Sequence, residues 1–297
     1  MTRTPISIRH LIAVAVLMLT FQSAYAVRYQ NGDFVFDCNY SWDQLTATLL
    51  RYTGTSSEVT IPEEVFYDGN TYPVLFIGDE FSVPFQNNAY VQTVHLPNSA
   101  LSIGVEAFNN CTRLESVTLG RNLERINAYA FYQCPLLRDV KMYKNLSDIG
   151  SYAFAECPSL SSLSLGRGVS HLCENVFDLT PLQSLTVLNP VPASCDGPLN
   201  SRASWYNTCQ VYVHLGSLSA FDDAPEWSRF THLSERPERG DINADGMTDI
   251  ADVNMLINCI LGRTHVDNSL GDLTHDGRID ISDVNLLLGI MLGNIDI

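Results

Sequence analysis

Residues 149–165 read IGSYAFAECPSLSSLSL, and the pattern of these residues recurs along the sequence. Ala-Phe-x-x-Cys occurs at residues 107–111, 130–134 and 153–157, at a constant step of 23 residues. The same step joins two series of apolar residues: Ile103, Ile126, Ile149 and Leu172, and Leu119, Met142 and Leu165. A period in the twenties with recurring apolar positions is typical of a solenoid, in which each coil buries its apolar face against its neighbours.

Each repeat contains a short strand. Val117 and Leu119 alternate with the polar residues Ser116 and Thr118, and this period of two indicates a strand with one buried face. Stacked copies form a parallel sheet with strands about 4.8 Å apart. The phenylalanine of each repeat is then expected to fill the same layer of the core.

Less regular copies of the repeat lie on both sides of these three. Val176-Phe177 continues the series with Thr180 in the cysteine position, and one residue is then missing. An earlier copy begins at Ile77-Gly78 and carries about three extra residues before its apolar positions Val91, Val94 and Leu96. The solenoid is therefore expected to extend beyond the regular repeats.

The cysteines of the repeats follow from the stacking. Cys111, Cys134 and Cys157 are expected to form a column inside the coil as free thiols, since an unpaired cysteine behaves as a small buried hydrophobe. Cys195 and Cys209 are the better candidates for a disulfide, and the sequence leaves open whether they are joined.

The outward residues of the strands form a ladder that is rich in hydroxyl groups and poor in aromatic rings. Its members are His95, Thr118, Lys141, Ser164 and Thr186, flanked by Thr93, Ser116, Asp139, Ser162 and Ser184. Such a face favours a broad protein contact over a sugar platform, which needs stacked Trp or Tyr. Trp205, Tyr206 and Trp227 are expected in the core of the closing segment.

The pattern Ile-Gly-x-x-Ala-Phe-x-x-Cys-x-x-Leu-x-x-Val-x-Leu resembles the BspA-like class of leucine-rich repeats of bacterial surface proteins. The resemblance covers about residues 56–233, and residues 211–217 with Trp227 and Phe230 look like the closing segment of that class. It implies an α/β leucine-rich-repeat solenoid with parallel strands and short helical or irregular returns. The class has no single ligand.

A second pattern is a tandem pair of aspartate-rich loops, GDINADGMTDIAD at residues 240–252 and GDLTHDGRIDISD at residues 271–283. With Asp241 and Asp272 counted as position 1 of each loop, side chains that carry oxygen fall at positions 1, 3, 5, 9 and 12, and glycine stands at position 6. Ca²⁺ takes roughly six to eight oxygen ligands in a loop that wraps it, and the glycine permits the sharp turn. The sequence therefore predicts two calcium sites.

Position 7 of each loop contributes a backbone carbonyl, so its side chain is free to vary. The ligands predicted for the first site are Asp241, Asn243, Asp245, Met247, Asp249 and Asp252, and those for the second are Asp272, Thr274, Asp276, Arg278, Asp280 and Asp283. Thr274 stands where Asp or Asn is usual, so the second site is expected to be weaker or to use a water there.

Each loop leads into one amphipathic helix. Apolar residues keep helical spacing from Val253 to Leu261 before Gly262, and from Val284 to Leu292 before Gly293. A calcium loop that enters a single helix, present twice, closely resembles a type I dockerin over residues 240–293. The resemblance implies a small all-α calcium-binding module whose partner is a cohesin domain.

The resemblance also implies where the partner binds: loop positions 10 and 11, and positions 17 and 18 on the helix. The residues at these positions are Ile250, Ala251, Ile257, Asn258, Ile281, Ser282, Leu288 and Gly289. This set is more apolar than in many dockerins, which carry Ser, Thr, Lys or Arg there. The alternative is that these residues pack the two helices together.

The N-terminus has the pattern of a signal peptide. Arg3 and Arg9 precede an apolar run over residues 11–21, and Ala24-Tyr25-Ala26 gives a small-x-small cleavage site. A membrane anchor is the alternative, but the run is shorter than the roughly 20 residues of a span. The predicted organisation is as follows: signal peptide 1–26, β-rich N-terminal cap 27–73, solenoid with closing segment 74–233, linker 234–239 and dockerin 240–297.

The net charge and the absence of two catalytic motifs exclude some classes of function. The formal charge of −16 becomes −18 without the two leader arginines, which argues against nucleic acid or an anionic membrane as partner. The chain has no Gly-x-Ser-x-Gly or His-Glu-x-x-His motif, and His95, His171 and His214 fall at structural or surface positions. An enzyme is therefore not expected.

These observations predict a secreted, non-catalytic binding protein that is extracellular or held at the cell surface through a partner. Its repeats are expected to contact an unknown protein ligand. The resemblance to type I dockerins implies that the C-terminal module binds a cohesin-type partner with Ca²⁺ and that the protein takes part in an assembly that degrades polysaccharide. The alternative is a surface adhesin or ligand-binding protein outside such an assembly.

Overall fold

A computed structural model of the chain describes residues 25–41, 44–236, 240–243 and 248–292. Almost all of the predicted signal peptide lies outside the described residues. The predicted ligands Asp245 and Met247 of the first loop also lie outside them. The described residues form a parallel β-solenoid followed by a small helical module.

The N-terminal region is an antiparallel meander that is continuous with the solenoid. It consists of β1 (Tyr25–Asn31), β2 (Phe34–Ser41) and β3 (Gln44–Tyr52), followed by β4 (Glu58–Thr60), β5 (Glu64–Tyr67) and β6 (Asn70–Ile77). Strand β3 pairs in parallel with β6, and β5 pairs with β6 through a turn at Asp68-Gly69. Both turn residues have positive φ, 46° and 78°, as a two-residue hairpin turn requires.

Each coil over residues 93–195 contributes two short strands, and the last two coils contribute one strand each. The first series is β7 (Thr93–His95), β9 (Ser116–Thr118), β11 (Asp139–Lys141), β13 (Ser162–Leu165), β15 (Ser184–Val187), β17 (Gln210–His214) and β18 (His232–Arg236). The second series is β8 (Ser102–Ile103), β10 (Arg125–Ile126), β12 (Asp148–Ile149), β14 (His171–Leu172) and β16 (Ser194–Cys195). The strands of both series pair in parallel with equivalent residues side by side.

The first series together with β4 forms two four-stranded sheets, here called the front sheets, in the orders β11-β9-β7-β4 and β13-β15-β17-β18. The second series continues from the N-terminal meander as one sheet, here called the side sheet, in the order β1-β2-β3-β6-β8-β10-β12-β14-β16. The parallel sheet predicted from Val117 and its equivalents is confirmed. On the front sheets Val94, Val117 and Leu185 are buried, and the predicted ladder is exposed or half-buried.

The returns between strands are turns with a fixed left-handed pair in each regular coil. Residues Glu106 and Asn110, Tyr129 and Gln133, Tyr152 and Glu156, and Asn175 and Leu179 all have φ between 54° and 57°. Backbone bonds to the next coil hold these turns: the amide of Phe108 donates to the carbonyl of Ala130 at 2.8 Å, and that of Phe131 to Ala153 at 2.9 Å. Stacking therefore fixes backbone angles that an isolated repeat would avoid.

The core contains a continuous stack of aromatic rings. Phe108 lies 4.7 Å from Phe85 and 5.1 Å from Phe131, and Phe154 lies 5.3 Å from Phe131 and 6.3 Å from Phe177, measured between ring centroids. All five rings are buried. The prediction that each phenylalanine fills the same layer is confirmed.

The cysteine column is also present. The thiols of Cys111, Cys134 and Cys157 are buried, and each donates to the carbonyl of a phenylalanine in the preceding coil at 3.1–3.2 Å. Thr180 takes the next place, as its position in the repeat predicts, and its hydroxyl donates to the carbonyl of Phe154 at 2.6 Å. Asn200 continues the column with a bond to the carbonyl of Phe177, also at 2.6 Å.

The structure describes all eight cysteines and joins none of them in a disulfide. Cys195 lies on β16 of the side sheet, whereas Cys209 directly precedes β17 of a front sheet. The two candidates for a disulfide thus stand on different faces of the solenoid.

The closing segment caps the last coil with short helices and aromatic rings. It contains two 3₁₀ helices, Ala203–Asn207 and Trp227–Arg229, and the helix α1 (Leu218–Asp222). Trp205, Tyr206 and Trp227 are buried, as predicted. The guanidinium of Arg229 lies 3.8 Å from the centroid of the Tyr206 ring.

The C-terminal module has a small core of its own. Its helices are α2 (Ile250–Ile260), α3 (Asn268–Gly271) and α4 (Ile281–Met291), and α2 packs on α4. The core residues are Ile242, Val253, Leu256, Val266, Leu273, Val284 and Leu287. No helix in the described part of the chain is both long and apolar enough to cross a membrane.

Candidate calcium loops and docking face

The second aspartate loop is described along its whole length, and its first ligand position organises it. Asp272 accepts the backbone N–H of Asp276 with Oδ1 at 3.1 Å and that of Gly277 with Oδ2 at 2.7 Å. Gly277 has a φ of +88°, which residues with a side chain rarely adopt. The glycine at loop position 6 therefore makes the sharp turn that the sequence predicts.

The last ligand position lies at the start of a helix in both loops. Asp252 and Asp283 are fully buried at the third residue of α2 and α4, and each accepts a backbone N–H of the helix N-cap, Asp249 or Asp280. The N-cap aspartates bond back to the first turn, which completes a capping box in each helix. The same four carboxylates therefore begin the helices and belong to the predicted metal sites.

Loop position 12 also ties the ends of each loop together. In the first loop Oδ1 of Asp252 accepts the amides of Ile242 and Asn243 at 2.7 and 3.0 Å. In the second loop Oδ1 of Asp283 accepts the amide and hydroxyl of Thr274 at 2.9 and 3.1 Å. The hydroxyl of Thr274 at position 3 thus donates to Asp283 and also lies 3.4 Å from Oδ1 of Asp272.

Asp280, the N-cap of α4, is held in its ionised form. The hydroxyl and amide of Ser282 both donate to its carboxylate, at 2.6 and 2.7 Å, and these bonds lower the pKa of Asp280 below its ordinary value. An ionised carboxylate at loop position 9 is the form that a cation requires.

The donor chemistry of the loops fits Ca²⁺. Each carboxylate oxygen has two lone pairs, so the N–H bonds to Asp272, Asp280 and Asp283 leave acceptor capacity for a cation. Every predicted side-chain donor of the second loop is an oxygen, as a hard cation prefers. In the first loop Asp241 and Asp252 are buried at the two ends of the loop.

The residues expected to contact a partner lie on the outside of the module. Ile250 is 60% exposed and Ile281 64%, and Ile257 and Leu288 are exposed as well. Ala251 is also exposed, and Asn258, Ser282 and Gly289 are half-buried. None of these eight residues belongs to the core between the helices, so the alternative that they pack α2 on α4 is not favoured.

Six exposed apolar residues form one stripe on each helix and its C-cap, which we call the α2 stripe and the α4 stripe. The α2 stripe is Ile250, Ile257 and Leu261, and the α4 stripe is Ile281, Leu288 and Leu292, whereas the exposed Ile260 and Met291 lie outside the stripes. A spacing of seven and then four residues keeps each set on a single helix face. The stripes are duplicates of each other, at a distance of 31 residues in the sequence.

Sequence reasoning missed one group of polar side chains, which lies on the side sheet. His171, Cys173 and Asp196 each offer a ligand atom, and these atoms lie within 4.8 Å of one another. The sequence treats His171 as a structural or surface residue, whereas the structure places its ring between the carboxylates of Asp148 and Asp196. The signal in the sequence is that Cys173 and Asp196 stand where earlier repeats carry Gly104, Asn127 and Gly150.

The geometry defines a leucine-rich-repeat solenoid followed by a duplicated loop-and-helix module. Comparison of the sequence with known families identifies the type of repeat and the type of module. The sequence profile of the BspA type leucine rich repeat region matches residues 82–193 in six copies. The profile of the dockerin type I domain matches residues 239–292. The chain therefore carries a BspA-type leucine-rich-repeat region and a type I dockerin domain, and type I dockerin domains bind calcium.

Several solved structures are similar to the solenoid. A leucine rich cell surface protein from Faecalibacterium prausnitzii is 26% identical, with a TM-score of 0.46, over 64% of this chain and 55% of that one. A leucine rich repeat protein from T. pallidum is 23% identical, with a TM-score of 0.48, over 66% of this chain and 91% of that one. A leucine-rich repeat protein from Bacteroides capillosus is 28% identical, with a TM-score of 0.35, over 49% and 86%.

The match spans about half of the first of these structures. No curated protein matches the chain. Both matched families are non-catalytic, and proteins that carry them are typically extracellular or associated with a surface.

Proposed function

We propose that this protein is a secreted, non-catalytic binding protein. Its leucine-rich repeats contact a protein ligand through the front sheets, and its dockerin binds a cohesin-type partner in a calcium-dependent manner. The partner holds the protein at an extracellular assembly, one that degrades polysaccharide. Two calcium ions bind, one in each aspartate loop.

The observation that carries the proposal is the pair of duplicated stripes on α2 and α4. An exposed isoleucine or leucine alone needs no explanation, but three that share one face on each of two helices do. The calcium loops lead directly into both stripes, so a bound metal fixes the first turn of each helix. Loss of calcium would then release the surface that binds the partner.

The front sheets supply a different surface. Their outward residues on strands β7, β9, β11, β13 and β15 are mostly hydroxyl-bearing, with a few charged side chains and His95 but no Phe, Tyr or Trp. Such a polar face on a rigid sheet favours a protein ligand, since sugars are bound by stacked aromatic rings. The two surfaces lie on parts of the chain with separate cores.

The test is binding of a cohesin domain from the same organism's secreted proteins to charge variants of the stripes. Because the stripes are duplicates, Ile257→Asp or Leu288→Asp alone should weaken binding only partly, and the double variant should abolish it. Isothermal titration in Ca²⁺ measures the affinity, and the same titration in chelator should show no binding.

The matched control is Phe81→Asp with Val191→Asp, which adds the same two charges at exposed apolar residues of the solenoid. This variant should bind like the unmodified protein. All variants must bind calcium and melt cooperatively. Full-strength binding by the Ile257→Asp, Leu288→Asp variant would contradict the proposed surface. No binding by the unmodified protein to any cohesin would instead favour an adhesin outside such an assembly.

A further inference from the structure

The side sheet carries a cluster of metal-binding side chains far along the sequence from the aspartate loops. His171 and Cys173 are two residues apart across the end of β14 and therefore point to the same face. Asp148 pairs with His171 in the register of β12 and β14. The amide of Asp196 donates to the carbonyl of Leu172 at 3.1 Å, which sets Asp196 beside Cys173 in the next coil.

The distances within the cluster suit one cation. Nε2 of His171 lies 3.1 Å from Oδ1 of Asp196, and Nδ1 of His171 lies 3.3 Å from Oδ1 of Asp148. The ligand atoms of His171, Cys173 and Asp196 all lie within 4.8 Å of one another. In a tetrahedral zinc site, bonds of about 2.0–2.3 Å place neighbouring ligands about 3.3–3.7 Å apart, so small side-chain rotations would close this set.

We propose that His171, Cys173 and Asp196 bind Zn²⁺ on the side sheet. Imidazole nitrogen, thiolate sulfur and carboxylate oxygen are the three donor types that zinc takes in proteins. The cluster is half-buried to exposed, so water has access to the fourth position. The site is independent of the dockerin and of its calcium loops.

Asp148 acts as the positioning residue of this site. A histidine that binds metal through one ring nitrogen commonly donates its other N–H to a carboxylate, which fixes the tautomer and the orientation of the ring. The contact between Nδ1 of His171 and Asp148 has this arrangement, and it leaves Nε2 facing Asp196. The register of the side sheet therefore brings together the proposed metal ligands and the carboxylate that orients His171.

The repeat itself sets this coil apart. The position that follows the apolar residue of the side-sheet strand is Gly104, Asn127 and Gly150 in earlier coils, but Cys173 and Asp196 here. At Gly150 a Cβ would stand 2.5 Å from the backbone nitrogen of Ala128, so glycine is needed there for close stacking. Two adjacent coils thus carry metal-binding side chains at a position where Gly104 and Gly150 leave no room for a side chain and Asn127 carries an amide.

The cluster does not have the features of a nucleophilic thiol. Burial and the neighbouring carboxylate of Asp196 raise the pKa of Cys173, whereas a reactive cysteine needs a lowered pKa. The hydrogen bond to Asp196 is the largest contribution that raises the pKa of His171. A bound cation reverses these effects, because it stabilises the thiolate and the neutral imidazole.

The test uses the full chain, reduced, without a histidine tag, and saturated with Ca²⁺ so that the aspartate loops are filled. Titration with ZnCl₂ should show one site in the unmodified protein. Cys173→Ser and His171→Ala should each raise the Kd for Zn²⁺ by at least about tenfold. Asp148→Asn should raise it by about 10–100-fold, as for other partners of a metal-binding histidine. With Co²⁺, a thiolate-to-metal absorption band should appear in the unmodified protein and be absent in Cys173→Ser.

The matched control is Cys195→Ser, a neighbouring thiol that packs against the core and faces away from the cluster. It should bind Zn²⁺ with unchanged affinity. Melting of each variant without Zn²⁺ shows that the solenoid remains folded. The proposal is overturned if the calcium-saturated protein takes up no zinc, or if Cys173→Ser binds it as tightly as the unmodified chain.

Discussion

At the scale of single residues, one position of the repeat lies in a column inside the solenoid and is filled by cysteine in three coils and by threonine in the next. Cys111, Cys134 and Cys157 each give a weak S–H donor to a buried carbonyl. Thr180, in the same place, also accepts the amide of Cys157 at 3.0 Å. The sequence predicts that Thr180 takes the cysteine position, but the second bond depends on the spacing between two coils, which a repeat pattern does not contain.

Thr180→Val is expected to destabilise the solenoid by about 2–4 kcal/mol. Valine has the same shape but leaves the carbonyl of Phe154 and the amide of Cys157 without the hydroxyl, and an unsatisfied buried polar group costs about 1–3 kcal/mol. Thr180→Ser keeps both bonds and should cost much less. Thermal and denaturant unfolding of the two variants measure the difference, and an equal loss of stability would contradict the role of the hydroxyl.

Glu63 gives the fold a dependence on pH. Its carboxylate accepts the amides of Asn98 and Ser99, both at 2.9 Å, and so ties the strand meander to the first coil. Burial alone would raise the pKa of Glu63, but the hydrogen bonds from Asn98 and Ser99 outweigh it and lower the pKa. Because the folded pKa is depressed, the stabilisation is present above the unfolded pKa of about 4.3 and is lost as pH falls through the folded pKa.

The corresponding prediction concerns Glu63→Gln. The unmodified protein should melt at a higher temperature than the variant near pH 7, and the gap should shrink as the pH falls below about 4. Melting curves of both proteins between about pH 3 and pH 7 measure the gap, since this interval spans the ordinary pKa of a glutamate side chain. A gap that stays constant over this range would show that the carboxylate charge is not what stabilises the contact.

At the scale of elements, the recurrence of Phe in the sequence was sufficient to predict the stack of rings. The second parallel sheet was not predicted as a sheet, since each of its strands has only two residues in the coils, as in Arg125–Ile126. A two-residue strand carries no alternation to recognise, and only stacking with its neighbours makes it a strand. The same holds for the cluster at His171, whose members meet through the register between coils.

Phe131→Ala is expected to destabilise the solenoid by about 3–5 kcal/mol, as buried aromatic truncations do. Phe131 is fully buried, and its ring stacks on Phe108 and Phe154, so the change leaves a cavity in the middle of the stack. Phe81→Ala is the control, because Phe81 is 93% exposed and should lose almost nothing. Comparable melting of the two variants would contradict the stacked core.

At the scale of the whole molecule, the described residues form two hydrophobic cores, for which we expect different sources of stability. The solenoid core runs from Phe36 to Phe230, whereas the core of the dockerin has seven buried residues in the part of the module that the structure describes. A core of that size stabilises a domain only marginally, and small domains commonly rely on a bound metal. The sequence predicts the identity of the calcium ligands, and the helix starts at Asp249 and Asp280 add the capping roles that no ligand pattern shows.

Removal of calcium should therefore lower the melting temperature of the dockerin and leave that of the solenoid unchanged. Calorimetry of the full chain should resolve two transitions in Ca²⁺, and chelator should shift only the smaller one, since a ligand bound to the folded state alone stabilises it by mass action. Repulsion among the carboxylates of each loop adds to the loss when the metal is removed. Equal midpoints with and without chelator would contradict calcium-linked folding.

Alanine variants of Asp252 and Asp283, the buried aspartates predicted to bind calcium, separate the contribution of each loop to that shift. Asp252→Ala and Asp283→Ala both remove the bond from the N-cap amide to the third helical residue, which is one half of the capping box. This loss remains in chelator, so the difference between midpoints in Ca²⁺ and in chelator isolates the contribution of the metal. Asp252→Ala should remove the larger calcium-dependent increment, because the second loop has Thr274 at position 3, with its hydroxyl already bonded to Asp283. Thr274→Asp should raise the increment of the second loop toward that of the first. If Asp283→Ala removes the larger increment instead, the second loop holds calcium more tightly, and the threonine is not a weakness of that site.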